Sequence, residues 1–279
     1  MRIHRLRNLE QWQSHAERIG TEFLQWQALQ NQYETRLRTS KAKPTLRGFS
    51  FPAGRQVDFL VDLDQSPILW RETLTCPETG LINRIRASLH AFENECEPYI
   101  DDPIYLMEQV TPTYRWLAAR YPNVIGSEFL GEHLEPGTVI DGVRHEDATR
   151  LSFDDQSLAC VLSFEVFEHV PNYAAAFAEC YRVLRPGGYL LWTVPFVLNQ
   201  QHTLVRARIN SKGQIEHLLE PEYHGNPVHR KGSLCFYHFG WDMLDTVREA
   251  GFSDAWAMLF WSEAFAYLGE EALVFIARR

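Results

Sequence analysis

From residue 103 onward, apolar runs too short for helices alternate with segments of helical period. The runs fall at residues 104–107, 124–125, 158–164, 189–194 and 273–277, and the helical segments at 113–120, 174–183 and 241–250. A run of this length, apolar on both faces, suits a strand in the middle of a sheet. An intervening helix is the connection that returns the chain for a parallel neighbour. The alternation therefore predicts an α/β fold on a mainly parallel sheet. In such sheets ligands gather at the carboxyl ends of the strands, so chemistry is expected in the loops that follow each run.

Two different segments precede that alternation. Apolar side chains stand at Leu9, Trp12, Ala16, Ile19, Phe23, Trp26, Tyr33 and Leu37, in steps of three and four broken at Gln30. This is a helical stripe with coiled-coil phase. Gly20 lies inside it, and since glycine weakens a helix interior by about 1 kcal/mol, the stripe can divide there into two helices. It packs on its own domain or joins two copies as a homodimer. Residues 46–90 read as a small module. Val57, Phe59 and Val61 alternate, a polar turn follows at 62–67, and a second strand at 70–76 completes a hairpin. A knuckle at Cys76-Pro77-Glu78-Thr79-Gly80 then leads into a basic amphipathic stretch with Asn83, Arg84 and Arg86. The expected organisation is a helical region at 1–45, the module at 46–100 and the α/β domain at 101–279.

Composition matters for what it excludes. At 45% hydrophobic and 23% charged, the 279 residues are an ordinary soluble mixture, not a disordered or fibrous one. No apolar run approaches the ~18 residues of a bilayer span, and residues 1–18 lack the apolar core of a secretory signal, so a cytoplasmic protein is expected. The net charge of -9 is uneven: residues 1–50 hold nine Lys and Arg against four Asp and Glu, leaving eighteen against thirty-two in the rest. An acidic body argues against nucleic acid as the main partner. The five cysteines are scattered and form no C-x-x-C pair, which gives no disulfide framework and no intact zinc ribbon.

The densest motifs lie between residues 146 and 196. Glu146-Asp147-Ala148-Thr149-Arg150-Leu151-Ser152-Phe153-Asp154-Asp155 precedes the run 158–164; Glu165-Val166-Phe167-Glu168-His169-Val170-Pro171-Asn172 follows it; Arg182-Val183-Leu184-Arg185-Pro186-Gly187-Gly188 comes after the next helix. In order and spacing these resemble the class I S-adenosylmethionine-dependent methyltransferases of the type 11 group. Those carry D-A-x-x-L-P-F-x-D-x-S-F-D, then E-H-x-x-D, then R-V-L-x-P-G-G. The likeness continues more weakly through Phe239-Gly240-Trp241 and Glu249-Ala250-Gly251-Phe252. It implies a Rossmann-like seven-stranded, mostly parallel sheet with helices on both faces, carrying an N-terminal helical and small β extension. It also implies an enzyme that uses S-adenosyl-L-methionine.

Read residue by residue, the resemblance implies that Asp147 accepts from the adenine amino group, that small Ala148 lets the ring approach, and that Glu128 binds the ribose hydroxyls. Phe164 is placed beside the cofactor by the same likeness. Asp147 and Glu128 can equally cap turns or stand at the surface. Glu108 occupies the place of the strand-end acid, but the glycine-rich loop that follows it in the family is replaced by Gln109, Val110, Thr111 and Pro112. Without glycine the backbone has fewer conformations and side chains occupy the ligand's approach. Either Thr111 and the amides before the helix form an altered carboxylate cradle, or cofactor binding has been lost and the chain is a catalytically inactive methyltransferase-fold scaffold.

Glu165, Glu168 and His169 share one face if their turn is helical. Glu168 and His169 then pin the loop, or His169 removes a proton from an acceptor hydroxyl, as its ordinary pKa near 6.5 suits. The spacing also resembles the divalent-metal site of the ubiquinone-pathway and small-RNA O-methyltransferases, though no metal is assigned. Residues 201–235 form a long insertion after a strand, read as a substrate lid, with His224 as a second base and Glu222 and Tyr223 as substrate-binding groups. The alternative is a rigid turn shaped by Gly225 and Pro227. Residues 70–86 resemble the W-R-E-x-L-x-C-P-x-C-G segment that precedes such domains in some bacterial polysaccharide-associated proteins. Thr79 stands where the second cysteine would be, so a metal-free knuckle held by Phe51, Phe59, Trp70 and Leu74 is expected. The acceptor implied is a sugar or small metabolite.

Overall fold

The structure, a computed structural model, describes residues 2–225, 228 and 232–279. Along the chain come β1 (Arg2–Leu6), α1 (Leu9–Thr39), β2 (Thr45–Ser50), β3 (Arg55–Leu60) and α2 (Asn83–Ala91), the last prolonged by a π turn at Phe92–Cys96. Then follow β4 (Ile104–Leu106), α3 (Pro112–Arg120), β5 (Val124–Gly126), β6 (Leu158–Phe164), α4 (Tyr173–Val183) and β7 (Leu184–Thr193). Last are α5 (Asp242–Glu249), β8 (Asp254–Ser262) and β9 (Tyr267–Arg278). Short ribbons connect some of them.

The fold is α/β on a seven-stranded mixed sheet of order β1-β8-β9-β7-β6-β4-β5. Its core is parallel: β4 pairs in parallel with β5 and β6, and β6 with β7. Antiparallel pairing of β7 with β9 and of β8 with β1 extends it. All seven residues of β6 are buried, as a strand covered on both faces requires. The strand at residues 2–6 has no apolar run of its own to mark it.

The chain divides into two compact units. The first comprises Met1–Leu6, Glu10–Glu97 and Ala257–Val274; the second comprises Arg7–Leu9, Pro98–Trp256 and Phe275–Arg279.

In the first unit α1 runs unbroken for 31 residues, through Gly20, with Glu10 in its first turn and Arg36 and Arg38 in its last, the arrangement the helix dipole favours. The sequence allowed a division at Gly20; packing over the length of the helix outweighs one glycine. Trp26 stacks on Trp261 with centroids 4.8 Å apart, and Gln30 donates to the Gly269 carbonyl at 3.2 Å, so the stripe is covered within its own unit. The hairpin is β2 with β3, not the expected pair, and residues 70–76 contribute only an isolated bridge between Leu60 and Thr75. Phe59, Trp70 and Leu74 share a core with Leu37, Leu46 and Cys76, while Phe51 stacks on His90 at 3.9 Å. Arg86 is fully buried rather than on a basic face: its guanidinium lies 3.8 Å from the Phe59 ring and donates to the carbonyls of Phe265 and Ala266.

In the second unit Phe177 sits between Phe167 and Trp192, and Trp192 stacks on Phe275. Helix α4 ends at Val183, and β7 begins at once, so the Pro186-Gly187-Gly188 turn lies inside a strand instead of ending a helix. Gly187 has φ +78°, and a Cβ on Gly188 would stand 2.8 Å from the Ala159 carbonyl. The turn is an outward bulge pinned by backbone bonds to Arg279. All five cysteines are buried and none forms a disulfide.

Candidate functional site

The second unit gathers the candidate residues at two places. The first is the carboxyl ends of β4 and β5. Glu108 follows β4, half-buried, and the chain then turns into α3, whose N-cap is Thr111: its Oγ1 accepts from the Tyr114 amide at 3.3 Å, with Pro112 in the first helical turn. Where glycines would have left bare backbone, Gln109 makes a brace. Its Nε2 donates to the Gly142 carbonyl at 2.9 Å and its Oε1 accepts from the Arg144 amide at 2.7 Å. The amides of Gln109 and Val110 donate to Glu128 Oε1 at 2.8 and 3.0 Å.

Glu128, buried at 8% exposure, thus spends one carboxylate oxygen on the loop, and among the described residues Oε2 accepts no hydrogen bond. Asp147 behaves alike. Its Oδ1 takes the amide and the hydroxyl of Thr149 at 2.8 and 2.7 Å, and Oδ2 accepts from no described residue. Each acid is a turn former on one oxygen and an open acceptor on the other. An open carboxylate oxygen fits a ribose diol at Glu128 and an amino group at Asp147. Ala148 is half-buried beside Asp147, and Phe164 ends β6 at 6% exposure.

The second place is the loop after β6. Glu165 has φ +57°, so the turn is not the helix that would align it with Glu168 and His169; those two lie in a single 3-10 turn, Phe167–His169. The described residues of 201–235 form short ribbons against this turn. Ala207–Ile209 pairs with Ile215–His217, and Tyr223–His224 with Ser233–Leu234, where His224 is opposite Ser233. The Phe236 amide donates to the Glu168 carbonyl at 2.8 Å, and the Leu234 carbonyl meets His169 Nδ1 at 2.8 Å. The insertion is therefore part of the site. Gly225 is described; Asn226 and Pro227 lie outside the described residues.

These contacts fix which nitrogens carry hydrogen. A carbonyl only accepts, so His169 Nδ1 carries a hydrogen, while Nε2 lies 3.5 Å from Glu168 Oε1. His224 Nε2 lies 2.9 Å from Glu222 Oε1, and its Nδ1 points at Glu168 Oε1 from 3.4 Å. Glu168 has no exposure, and neither of its oxygens has a hydrogen-bond partner. A buried carboxylate facing imidazole nitrogens at ion-pair distance, without hydrogen-bond alignment, attracts a positive charge. Burial accordingly pushes the Glu168 carboxyl pKa up. The neighbouring Cys235, then Glu168 and Glu222, push His224 up to about 11.

Glu222 is the hub beyond the triad. Its carboxylate also meets His238 Nε2 at 3.2 Å and Arg206 Nη2 at 3.1 Å, and its pKa is lowered, chiefly by His224. Glu222 is thus tied to His224, His238 and Arg206, while Tyr223 is exposed. Arg206, Cys235 and His238 were not singled out from the sequence. They reach the site only through the pairing of Leu204–Val205 with Tyr237–His238 and the ribbon that ends at Leu234, contacts that no local pattern announces.

Comparison with known proteins agrees with the second unit. Residues 113–192 match the family model described as a methyltransferase domain. Over 53 residues the chain is 42% identical to a probable S-adenosylmethionine-dependent methyltransferase of Mycolicibacterium smegmatis, covering 19% of this chain and 21% of that one. Over 61 residues it is 48% identical to the phthiotriol/phenolphthiotriol dimycocerosates methyltransferase 1 of Mycobacterium ulcerans, covering 22% and 21%. The chain spans about a fifth of the length of these curated relatives. A solved S-adenosylmethionine-dependent methyltransferase of Mesorhizobium loti superposes with a TM-score of 0.43 at 16% identity, over 70% of this chain and 98% of that one.

Proposed function

We propose that the chain is an S-adenosylmethionine-dependent methyltransferase that methylates a hydroxyl oxygen of a sugar or small metabolite. The observation that carries this is the pair of half-committed acids, Glu128 and Asp147, lying in methyltransferase-type sequence beside the carboxyl ends of parallel strands. S-Adenosylmethionine, when bound, supplies a methyl group on a cationic sulfur that departs as a neutral thioether. Glu128 Oε2 would hold the ribose hydroxyls, and Asp147 Oδ2 the adenine amino group. Thr111 serves as a helix cap, and the amides of Gln109 and Val110 tie the loop to Glu128 in place of a glycine cradle.

At the acceptor end His169 is the base. Its ring is held from behind by the Leu234 carbonyl at Nδ1, which leaves Nε2 as the nitrogen that would take the proton. His224, with its pKa at about 11, is already protonated at neutral pH and cannot take the proton. It serves instead as a cation beside Glu168. The sugar or metabolite acceptor is supported by the likeness of residues 70–86 to the segment preceding such domains in polysaccharide-associated proteins.

Calorimetry with S-adenosylhomocysteine tests the cofactor reading: micromolar binding is expected, weakened at least tenfold in Glu128→Gln and in Asp147→Asn. No heat at high micromolar ligand would leave the chain a scaffold that keeps only the fold. With a labelled donor and a panel of hydroxylated acceptors, His169→Ala should lower turnover about 10²- to 10⁴-fold without changing S-adenosylhomocysteine affinity.

A second reading is favoured by one observation. His169 Nε2, His224 Nδ1 and a Glu168 oxygen lie within 4.8 Å of one another, and Glu168 has no hydrogen-bond partner. Such a set fits a divalent cation of borderline hardness, with Leu234 and Glu222 orienting the two rings from outside. The cation would lower the pKa of an acceptor hydroxyl. Glu168, His169 and His224 would then be ligands. Activity lost to a chelator and restored by manganese or zinc would establish this reading; chelator-resistant activity would leave His169 as the base.

A further inference from the structure

The ribbon of Tyr223–His224 with Ser233–Leu234 brings together a thiol, an imidazole and a carboxylate whose chemistry does not depend on the methyl-transfer reading. His224 is opposite Ser233, and one step along the register the Cys235 amide donates to the Glu222 carbonyl at 2.8 Å, so Glu222, His224 and Cys235 share one face of the ribbon. We propose that these three side chains bind a zinc ion, Cys235 through Sγ, His224 through Nε2 and Glu222 through Oε1. A nitrogen of His224, an oxygen of Glu222 and the Cys235 sulfur all lie within 4.8 Å of one another. His224 Nε2 and Glu222 Oε1 are 2.9 Å apart, near the ~3.3 Å that separates two donors of one tetrahedral ion. A thiolate and a carboxylate balance the ion's charge, and the thiolate selects zinc over magnesium, calcium or manganese.

The groups around the three are those that orient metal ligands. His224 Nδ1, the nitrogen left over, points at Glu168 Oε1 from 3.4 Å. Glu168 has no exposure, and neither of its oxygens has a hydrogen-bond partner. A histidine bound through Nε2 carries its hydrogen on Nδ1, and a carboxylate behind the ring is the usual group that fixes it there. The ion thereby brings Glu168 the positive charge that a buried carboxylate requires. Glu222 is held in the same manner. Arg206 Nη2 lies 3.1 Å from Oε2, which turns Oε1 toward His224, and His238 Nε2 stands beside both oxygens at 3.2 and 3.3 Å.

A proton on His224 is the competing explanation, since an imidazolium serves Glu168 and Glu222 together. It gives Cys235 no part: the thiol, 1% exposed, then only donates to the Tyr237 carbonyl at 3.2 Å. Zinc sends that thiol hydrogen to solvent and uses the sulfur. The set of Glu168, His169 and His224 differs as well, because it takes His224 through Nδ1 and holds no sulfur. A thiolate signature therefore separates the three cases. Because the ligands come from both strands of the ribbon, an ion on them also ties those strands together.

The full chain, dialysed against a chelator and titrated with zinc and then with cobalt(II), tests the site. Saturable zinc binding that raises the melting temperature is expected, with a sulfur-to-cobalt charge-transfer band in the near ultraviolet when cobalt replaces zinc. Cys235→Ser should abolish the band and weaken zinc at least tenfold, while His169→Ala should change neither. Should Cys235→Ser fail to fold, Glu222→Gln takes its place, with zinc again weakened at least tenfold. The absence of saturable zinc binding overturns the proposal and leaves His224 a protonated imidazole. Cobalt bound without the band, or zinc affinity lost in His169→Ala, also overturns it and moves the ion to Glu168, His169 and His224. A band that persists in folded Cys235→Ser overturns it by assigning the thiolate to another cysteine. Binding of S-adenosylhomocysteine, measured separately, is indifferent to all of these outcomes.

Discussion

His90 lies with its imidazole on the face of Phe51, its Nδ1 3.0 Å from the Tyr267 hydroxyl, and burial pulls its pKa down to about 4. In the unfolded chain the group titrates near 6.5. Between those values the unfolded state binds the proton and the folded state refuses it. The stability linked to neutral His90 is therefore complete above pH 6.5 and is lost as the pH falls toward 4. Denaturant titrations at pH 7 and pH 4.5 should show a loss on the order of 2 kcal/mol that shrinks in His90→Phe. An unchanged slope in the variant would assign the acid sensitivity to other groups.

At this scale the sequence was informative where a residue's role is set by its neighbours in the chain. Asp147 with Thr149, and Thr111 with Tyr114, are turn and cap contacts two and three residues long. The likeness to a family marked Glu168 and His169, yet their geometry depends on Leu234 and His224, more than fifty residues away. No spacing rule could have shown that the Leu234 carbonyl meets His169 Nδ1 or that His224 faces Glu168.

Among the elements, two glycines make opposite predictions. A Cβ on Gly20 of α1 meets nothing within 4 Å, so Gly20→Ala should stabilise the protein by about 0.5–1 kcal/mol and raise its melting temperature. A Cβ on Gly126, at the end of β5, would stand 2.6 Å from the Tyr114 ring and 2.7 Å from the Glu108 carbonyl. Gly126→Ala should cost about 1–3 kcal/mol by overpacking and, by displacing the loop that Glu128 holds, weaken S-adenosylhomocysteine as well. Retained stability together with retained affinity would mean that Tyr114 can move aside freely.

The elements most legible from the sequence were those whose burial shows as a continuous pattern: β6 was read with its bounds intact, and α3 and α4 to within a residue at each end. The early part of β7 was missed because Arg185-Pro186-Gly187-Gly188 has turn chemistry and yet is carried inside a strand. The second strand of the small hairpin was misplaced because Trp70 and Leu74 are buried by core packing without a ladder partner along their length. Helix α1 shows the reverse: its stripe was plain, but only the structure shows Trp261, Glu263 and Gly269 against it.

On the scale of the whole chain, the parallel core was anticipated by its strand and helix rhythm, whereas the discontinuity of the two units was not. Each unit is discontinuous, and the second takes only Phe275–Arg279 from the end of the sequence. Those five residues carry weight. Phe275, Ile276 and Ala277 are fully buried, the three pairing with Trp192, Leu191 and Leu190, and Arg279 donates to the carbonyls of Tyr181, Arg182 and Leu184. Truncation after Val274 should cost several kcal/mol, since Phe275 alone represents about 3–5 kcal/mol of core packing. The check is whether the shortened chain keeps its near-ultraviolet circular dichroism.

The same threading sets an order of events during translation. A ribosome makes residues 257–279 after everything else in either unit, so neither unit is complete while the nascent chain ends before them. Until then the buried run of β6 has only part of its surroundings and stays a surface on which aggregation can start.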